Sequence, residues 1–250
     1  MLTTQRRALI SARLSRDGEI VAKRLADELD LSEDTIRRDL REMAAEGLLK
    51  RVHGGALPLV PPLPDFAARQ AIAGDVKRRL GRKAASMIEA GQTIFLDGGT
   101  SNAEVARALP RQTRLTVVTH SPTIAAELER HEAEVILIGG RLYKHSMVAT
   151  GAAALAAIAG IRVDLFFLGV TAIHPAHGAS TGDYEEAAVK RAILKQAADI
   201  YVLATSEKFG AVSPHRVADI SDLSGFIVPE EIGDEMLAPY QNTNITIITA

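Results

Sequence analysis

Along the first fifty residues the apolar positions recur at helical spacing, and the breaks between runs are as informative as the runs. Val21, Leu25 and Leu29 lie four apart, and Ile36, Leu40 and Met43 form a further stripe beyond the short connection Asp30-Leu31. The pattern predicts helices over 5–14, 21–29 and 32–46, the third capped by Ser32, with Glu33 and Asp34 in its first turn and Gly47 as its stop. Two helices joined so tightly form a helix-turn-helix. Residues 48–52 read as a strand, His53-Gly54-Gly55 as a turn and Ala56-Leu57 as the return, which makes the unit a winged variant.

The pattern changes at Pro58, Pro61, Pro62 and Pro64, where fixed φ and missing amide donors disfavour helix interiors and central strands. Residues 58–73 are therefore read as a linker. Beyond it, short β-rich apolar runs at 93–97, 115–119, 135–138, 165–170, 200–204, 226–228 and 245–249 alternate with helical stretches at 77–90, 103–109, 122–130 and 184–198. Alternation of this kind predicts an α/β domain with a mainly parallel sheet covered on both faces. The expected organisation is a winged helix-turn-helix over 1–57, a linker over 58–73 and the α/β domain over 74–250.

Composition adjusts this picture only at its margins. With 47% hydrophobic and 24% charged residues the chain should fold as an ordinary globular protein. A net charge of -2 gives no bulk attraction to a polyanion, so any nucleic-acid contact must come from local placement of charge. The absence of cysteine excludes disulfides, thiolate metal sites and cysteine nucleophiles. Neither a cofactor nor a metal is expected. The start of the sequence lacks the apolar core of an export signal, and the alanine-rich stretch 152–161 is too short to cross a bilayer, so a packed helix, no membrane partner and a cytoplasmic setting are expected.

On the third helix the stripe of Ile36, Leu40 and Met43 leaves Arg37, Arg38 and Arg41 facing outward. Arginine there can grip guanine in a major groove or neutralise phosphates, and Thr35 near the helix start can reach a base edge or a phosphate. Lys50, Arg51, His53 and Gly54 on the wing would position the backbone. Arginines on an exposed face are by themselves a solvated surface, paired with Asp34, Asp39 or Glu42. The tight turn, the Ser32 cap and the basic wing together favour double-stranded DNA as the partner.

In the second domain Asp97-Gly98-Gly99-Thr100-Ser101-Asn102 follows a strand and opens a helix, an arrangement that suits a phosphate. Asp97 would repel that phosphate and is assigned either to a sugar hydroxyl or to orienting the loop. Thr119-His120-Ser121 and Gly139-Gly140-Arg141 end two further strands, where ligands of open α/β sheets bind. Ser121 reads equally as a helix cap before Pro122, His120 as a surface loop residue, and Arg141 as a phosphate ligand or a solvated cation. Glu186 and Lys190 lie four apart on a helix, as an ion pair does, and Lys208 can bring a cation to the same crevice.

The runs from Leu31 to Leu40 and from Gly47 to Ala56 resemble the N-terminal signature of the DeoR family of bacterial repressors. The segments around Asp97, Thr119, Gly139, Glu186, Lys190 and Lys208-Phe209-Gly210 are similar to the effector domain of that family. The resemblance implies operator binding, repression of a carbohydrate operon, a small phosphorylated sugar as effector, a fold related to ribose-5-phosphate isomerase and a homo-oligomer, dimer or tetramer. Thr205 and Glu207 depart from the pattern, which puts an acid-base role in that corner in doubt. The alternative is a phosphosugar isomerase-like enzyme using Asp97, Asp183 or Glu186, ranked lower because an isomerase needs no basic helix-turn-helix.

Overall fold

The computed structural model describes residues 1–59, 64–241 and 243–250, so the expected linker's Pro61 and Pro62 lie outside the described residues. Helix α1 (Thr3–Asp17), strand β1 (Ile20–Val21), helices α2 (Ala22–Leu29) and α3 (Glu33–Ala45) and strands β2 (Leu49–Val52) and β3 (Gly55–Pro58) form the N-terminal unit. Its core is Ile10, Leu14, Leu25, Ile36, Leu40, Met43 and Leu49, which takes in the whole predicted stripe of α3 but only Leu25 of the predicted stripe before it, since Leu29 is partly buried and Val21 lies exposed on β1. At the tight turn Asp30 takes a left-handed conformation (φ 51) and the Leu31 amide reaches back to the Ala26 carbonyl at 3.0 Å. Strand β1 escapes sequence reading because two residues carry no period. It forms because β3 pairs with it, Ile20 opposite Ala56.

The described parts of the expected linker, 58–59 and 64–73, are more structured than its prolines suggest. Pro58 ends β3 opposite Leu49, at the strand terminus where a missing amide costs least, and Leu59 bridges to Val212. Helix α4 (Phe66–Gln70) then forms because the Asp65 carboxylate accepts the Ala68 amide at 2.9 Å and Phe66 is buried. The Phe66 amide also donates to the His145 carbonyl at 3.0 Å, which ties the segment to the second domain.

That domain continues through α5 (Gly74–Ala85), β4 (Thr93–Leu96), α6 (Thr100–Ala108), β5 (Thr116–Thr119), α7 (Pro122–Glu127), β6 (Glu134–Leu137) and a hairpin of β7 (Arg141–Tyr143) and β8 (Val148–Thr150). Its second half holds α8 (Ala152–Ala159), β9 (Val163–Leu168), β10 (Ala172–His174), β11 (Gly178–Thr181), α9 (Tyr184–Leu194), β12 (Ala197–Leu203), β13 (His215–Ala218), β14 (Gly225–Val228), α10 (Asp234–Leu237) and β15 (Thr246–Thr249). The expected helix over 184–198 ends earlier, because Ala197 and Ala198 enter β12 and pair along β9. All seven expected strands join one parallel sheet in the order β15-β14-β12-β9-β4-β5-β6.

Side-chain alternation divides the core into two layers. Phe95, Phe166 and Phe226 face α8 and α9, while Ile94, Leu96 and Phe167 face α5, α6 and α7. Strand order reverses between β4 and β9: the chain builds outward to β5 and β6 from one, and to β12, β14 and β15 from the other. A crevice opens at the carboxyl ends of strands flanking such a reversal. The β7–β8 hairpin and a three-stranded antiparallel sheet, β10-β11-β13, wall that end of the domain. Neither was expected from periodicity, since their strands are only three or four residues long.

Candidate effector cavity and nucleic-acid interface

On the N-terminal unit the three arginines of α3 are exposed but not equivalent. Arg37 donates through Nε and Nη2 to Glu33 Oε1, one turn earlier, at 2.9 and 2.7 Å. Arg38 and Arg41 have no partner among the described residues. Two further carboxylates of the helix turn to α1: Asp39 is buried against Arg6, whose Nη2 lies 3.0 Å from Asp39 Oδ1, and Glu42 meets Arg7, while Asp34 in the first turn stays exposed. Asp39 and Glu42 thus fix α1 to α3, and Arg38 and Arg41 are left without an ion-pair partner among the described residues, as is Asp34. Ser32 accepts the Thr35 amide at 3.2 Å and the two hydroxyls share a 2.8 Å hydrogen bond, so both residues serve the cap first.

The wing joins this face on one side. Arg37, Arg51, His53 and Gly54 border a shallow cleft, and the Gly54 carbonyl accepts the Ala22 amide at 2.8 Å, fixing the hairpin to the start of α2. Strand alternation sends Lys50 to the other face of the hairpin from Arg51, where it is half-buried. The geometry suits a helix in one groove with the wing beside it.

In the second domain a cavity of about 420 Å³ opens where the strand order reverses, between the ends of β4, β9 and β12. Gly98, Gly99, Thr100 and Ser101 form one wall, Gly169 and Thr171 a second, and Thr181, Asp183, Glu186 and Lys190 a third. The loop after β4 must be glycine for two separate reasons. A Cβ on Gly98 would lie 2.1 Å from the Val148 side chain, and Gly99 adopts φ +114. Gly99 caps α6, so the first amides of that helix are unused and its positive dipole end faces the cavity.

Asp97 supports this loop rather than any ligand. The carboxylate is fully buried, with Oδ1 accepting from the Gly98 amide at 2.7 Å and lying 2.8 Å from His120 Nε2. Oδ2 accepts from the Gly169 amide at 2.8 Å and from Lys190 Nζ at 2.5 Å. Burial alone would raise its pKa, but the charge of Lys190 and the His120 contact outweigh it and hold the group down to about 2. With four partners the carboxylate has no free position for a sugar hydroxyl. Lys190 is neutralised on both sides, since its ammonium also meets Glu186 Oε1 at 3.3 Å. Burial pushes that ammonium down, and Asp97 with Glu186 overcompensates, leaving it raised.

The remaining cations of the cavity have no such neutralisation. Among the described residues Lys208 donates only to the Leu203 carbonyl, at 3.2 Å, and Lys77 only to the Arg69 carbonyl, at 2.8 Å. Burial lowers Lys208 to about 8, and the charges of Lys77, Arg69 and Lys190 act in the same direction against Glu207. Burial also lowers Lys77. Thr205 and Glu207, the departures from the family pattern, border the cavity and bind each other, Oγ1 to Oε1 at 2.5 Å.

Of the expected effector residues, Gly98, Gly99, Thr100, Ser101, Glu186, Lys190 and Lys208 meet at this cavity. Asp97, Thr119, His120, Ser121, Gly139, Gly140 and Arg141 do not line it. His120 is no surface loop residue: it is fully buried, with Nδ1 2.9 Å from the Ala149 carbonyl oxygen. Thr119 donates to the Leu96 carbonyl, and Ser121, although at the N-cap position of α7, accepts no helix amide and donates instead to the Met147 carbonyl. Arg141 is exposed on β7, and Gly140 is pressed against the Thr150 carbonyl, where a Cβ would lie 2.6 Å away. The physical reason is common to the residues that follow β5 and β6. β5 and β6 lie on the far side of β4 from the reversal, and the β7–β8 hairpin closes over their ends.

Sequence reading missed Arg69, Lys77, Tyr143, Thr181 and Thr205 as parts of this wall. Lys77 had a usable signal: it shares the inward stripe of α5 with Leu80 and Ala84, where a charge needs a reason. Tyr143 and Thr181 sit on short strands that periodicity does not register.

A basic helix-turn-helix joined to an α/β domain with a cation-lined cavity defines a ligand-responsive DNA-binding protein. The DeoR-like helix-turn-helix domain matches residues 6–59 and the DeoR C terminal sensor domain residues 73–230, so the chain belongs to the DeoR family of transcriptional regulators. It is 30% identical to the HTH-type transcriptional regulator GlpR of Haloferax volcanii, over 99% of this chain and 98% of that one. It is 33% identical to the glycerol-3-phosphate regulon repressor of Escherichia coli K12, with 88% of each chain covered. Among solved structures, ribose 5 phosphate isomerase A from Neisseria gonorrhoeae aligns with a TM-score of 0.40 at 14% identity, over 57% of this chain and 54% of that one. The relatives are regulators, and the helix-turn-helix and sensor domain give this chain DNA and a small effector as partners. Among the described residues no helix is long and apolar enough to cross a membrane.

Proposed function

We propose that the chain represses a carbohydrate operon from the cytoplasm, binding double-stranded operator DNA as a dimer or tetramer, and that a small phosphorylated sugar or polyol in the cavity relieves repression. Residues 1–57 bind DNA through Arg37, Arg38, Arg41 and Arg51, with Ser32 and Thr35 holding the start of α3 and Lys50, His53 and Gly54 shaping the wing. Residues 74–250 bind the effector. The observation that carries the effector class is the pairing of Lys77 and Lys208, without carboxylate partners, with the open amides of α6 across one cavity. Cations left unneutralised beside a helix N-terminus suit a compact dianion, while Asp183 and Glu186 on the opposite wall suit hydroxyl groups. The kind of operon follows the names of relatives such as the glycerol-3-phosphate regulon repressor.

The test is operator binding with the DNA upstream of the gene itself. Removing Arg38 or Arg41 should weaken binding about 5- to 100-fold each, the range for losing a groove contact of about 1–3 kcal/mol, and leave effector binding in place. A protein indifferent to that DNA at low ionic strength, with and without a panel of sugar phosphates, would overturn the reading.

A further inference from the structure

We propose that Arg69, carried on the connector helix α4, is an effector-binding residue, and that its guanidinium takes an oxygen of the effector's phosphate so that filling the cavity fastens the connector to the sensor domain. The inference rests on the reading of the cavity as a phosphate-ester site. It adds a residue from outside the sensor domain and assigns the connector a part in the response.

Arg69 lines the cavity together with Lys77 and Lys208. Among the described residues its guanidinium makes one hydrogen bond, from Nη2 to the His145 carbonyl at 3.3 Å, and no ion pair. Its Nε is buried without any partner, in a protein interior where nearly every such donor is satisfied. Guanidinium presents Nε and Nη2 as a parallel fork that matches two oxygens of one phosphate. Burial lowers its pKa, and the carboxylates that oppose this, Glu186 and Asp65 first, stand too far off to bond. An orphaned Nε donor beside two ammonium groups without carboxylate partners lacks an oxyanion, and a phosphate ester supplies one.

The position of α4 turns that contact into a signal. The helix has five residues, and its other ties to the domain are the buried Phe66 ring, the Phe66 amide on the His145 carbonyl and the Lys77 ammonium on the Arg69 carbonyl. Lys77 therefore touches the connector backbone and faces the cavity at once. At the upstream end, Leu59 also borders the cavity and bridges to Val212, immediately after the wing strand β3. A phosphate held between Arg69, Lys77 and Lys208 adds a strong tie where few weaker ones exist, and a site can shift a conformational balance only through such a differential contact.

The experiment uses the full chain and orthophosphate as the probe, in chloride buffer of matched ionic strength. Trypsin cleaves after Arg69 only when that side chain swings out of its place, so orthophosphate at about ten times its dissociation constant should slow the cut between Arg69 and Gln70 about tenfold. In calorimetric titration R69Q should bind orthophosphate about tenfold more weakly than the parent, with R69K between them, and the melting transition of each variant reports its folding. Orthophosphate that binds the parent without protecting that bond, or that binds R69Q as tightly as the parent while K208Q loses it, would overturn the role of Arg69 and leave the cavity reading intact. A parent protein that binds neither orthophosphate nor any sugar phosphate would overturn both.

Discussion

The two halves of the molecule use the same kind of charge under opposite conditions. On α3, Arg38 and Arg41 stand in water, and in the cavity Lys77 and Lys208 stand largely out of it. Each half also keeps one buried ion pair whose task is structural: Arg6–Asp39 locks α1 to α3, and Lys190–Asp97 locks α9 to the loop after β4. The pattern separates frame from function. On the proposed reading, paired charges hold geometry and unpaired ones meet the ligand, weakly and salt-sensitively at the exposed surface, strongly and selectively where water is scarce.

The sharpest way to break this comparison is to remove each structural carboxylate. Asp97→Asn removes the fully buried anion shared by the Lys190 ammonium, His120 and the Gly98 and Gly169 amides, leaving Lys190 only the 3.3 Å contact with Glu186, and should destabilise the sensor domain by about 3–5 kcal/mol. Asp39→Asn should cost less, about 1–3 kcal/mol, because Arg6 keeps the Met1 carbonyl and the Thr3 hydroxyl, each at 3.5 Å. The chain has no tryptophan, and its tyrosines, Tyr143, Tyr184, Tyr201 and Tyr240, all lie in the second domain. Tyrosine fluorescence therefore follows the sensor domain alone during denaturant unfolding, while far-ultraviolet circular dichroism follows both. Equal losses from the two variants would show that burial does not set the difference.

Legibility in the sequence follows the same division. The helix-turn-helix can be read because its determinants are local: a stripe at 3.6-residue spacing, Ser32 as cap, a two-residue connection. The seven sheet strands can be read because each is an apolar run, yet their order is a tertiary property. Without the order, every strand end is an equal candidate for the site, so Thr119 and Gly139 stand beside Gly99 until the reversal between β4 and β9 is known. His120 shows the same limit, since only the hairpin closing above it decides that it is buried. Arg69 was hidden by its neighbours, because a segment rich in proline reads as a spacer even where Asp65 caps a helix inside it.

A smaller effect concerns pH and separates the two halves by sign. Lys208 has its pKa brought by burial to about 8 in the empty cavity, whereas a phosphate monoester keeps its second negative charge above roughly pH 6. Effector binding needs the charged ammonium, so affinity should fall about tenfold between pH 7 and pH 9 as Lys208 deprotonates. The unliganded protein should move the other way: the unfolded chain holds that proton up to a higher pH, so Lys208 contributes increasing stability as pH rises above about 8. Arginine keeps its charge throughout, and operator affinity should be flat over the same range. Titrating the effector at several pH values checks this, and a flat profile would remove Lys208 from contact with it.

The smallest expected effect tests whether Arg37 belongs with the paired charges or the free ones. Glu33→Ala removes the partner that holds both Nε and Nη2 of Arg37, at a helix cost of only about 0.3–0.5 kcal/mol for the lost pair. It also removes a negative charge from the end of α3 that would approach a phosphate. If Arg37 faces the duplex, binding to unrelated DNA should tighten about two- to fivefold, and the slope of log affinity against log salt should steepen by about one contact. Operator binding should gain less, because a guanidinium freed from Glu33 reaches any phosphate but loses the fixed direction that a base edge requires. The ratio of operator to unrelated affinity therefore narrows in the variant. An unchanged salt slope would place Arg37 with Arg6, as a residue that holds the unit together and touches no DNA.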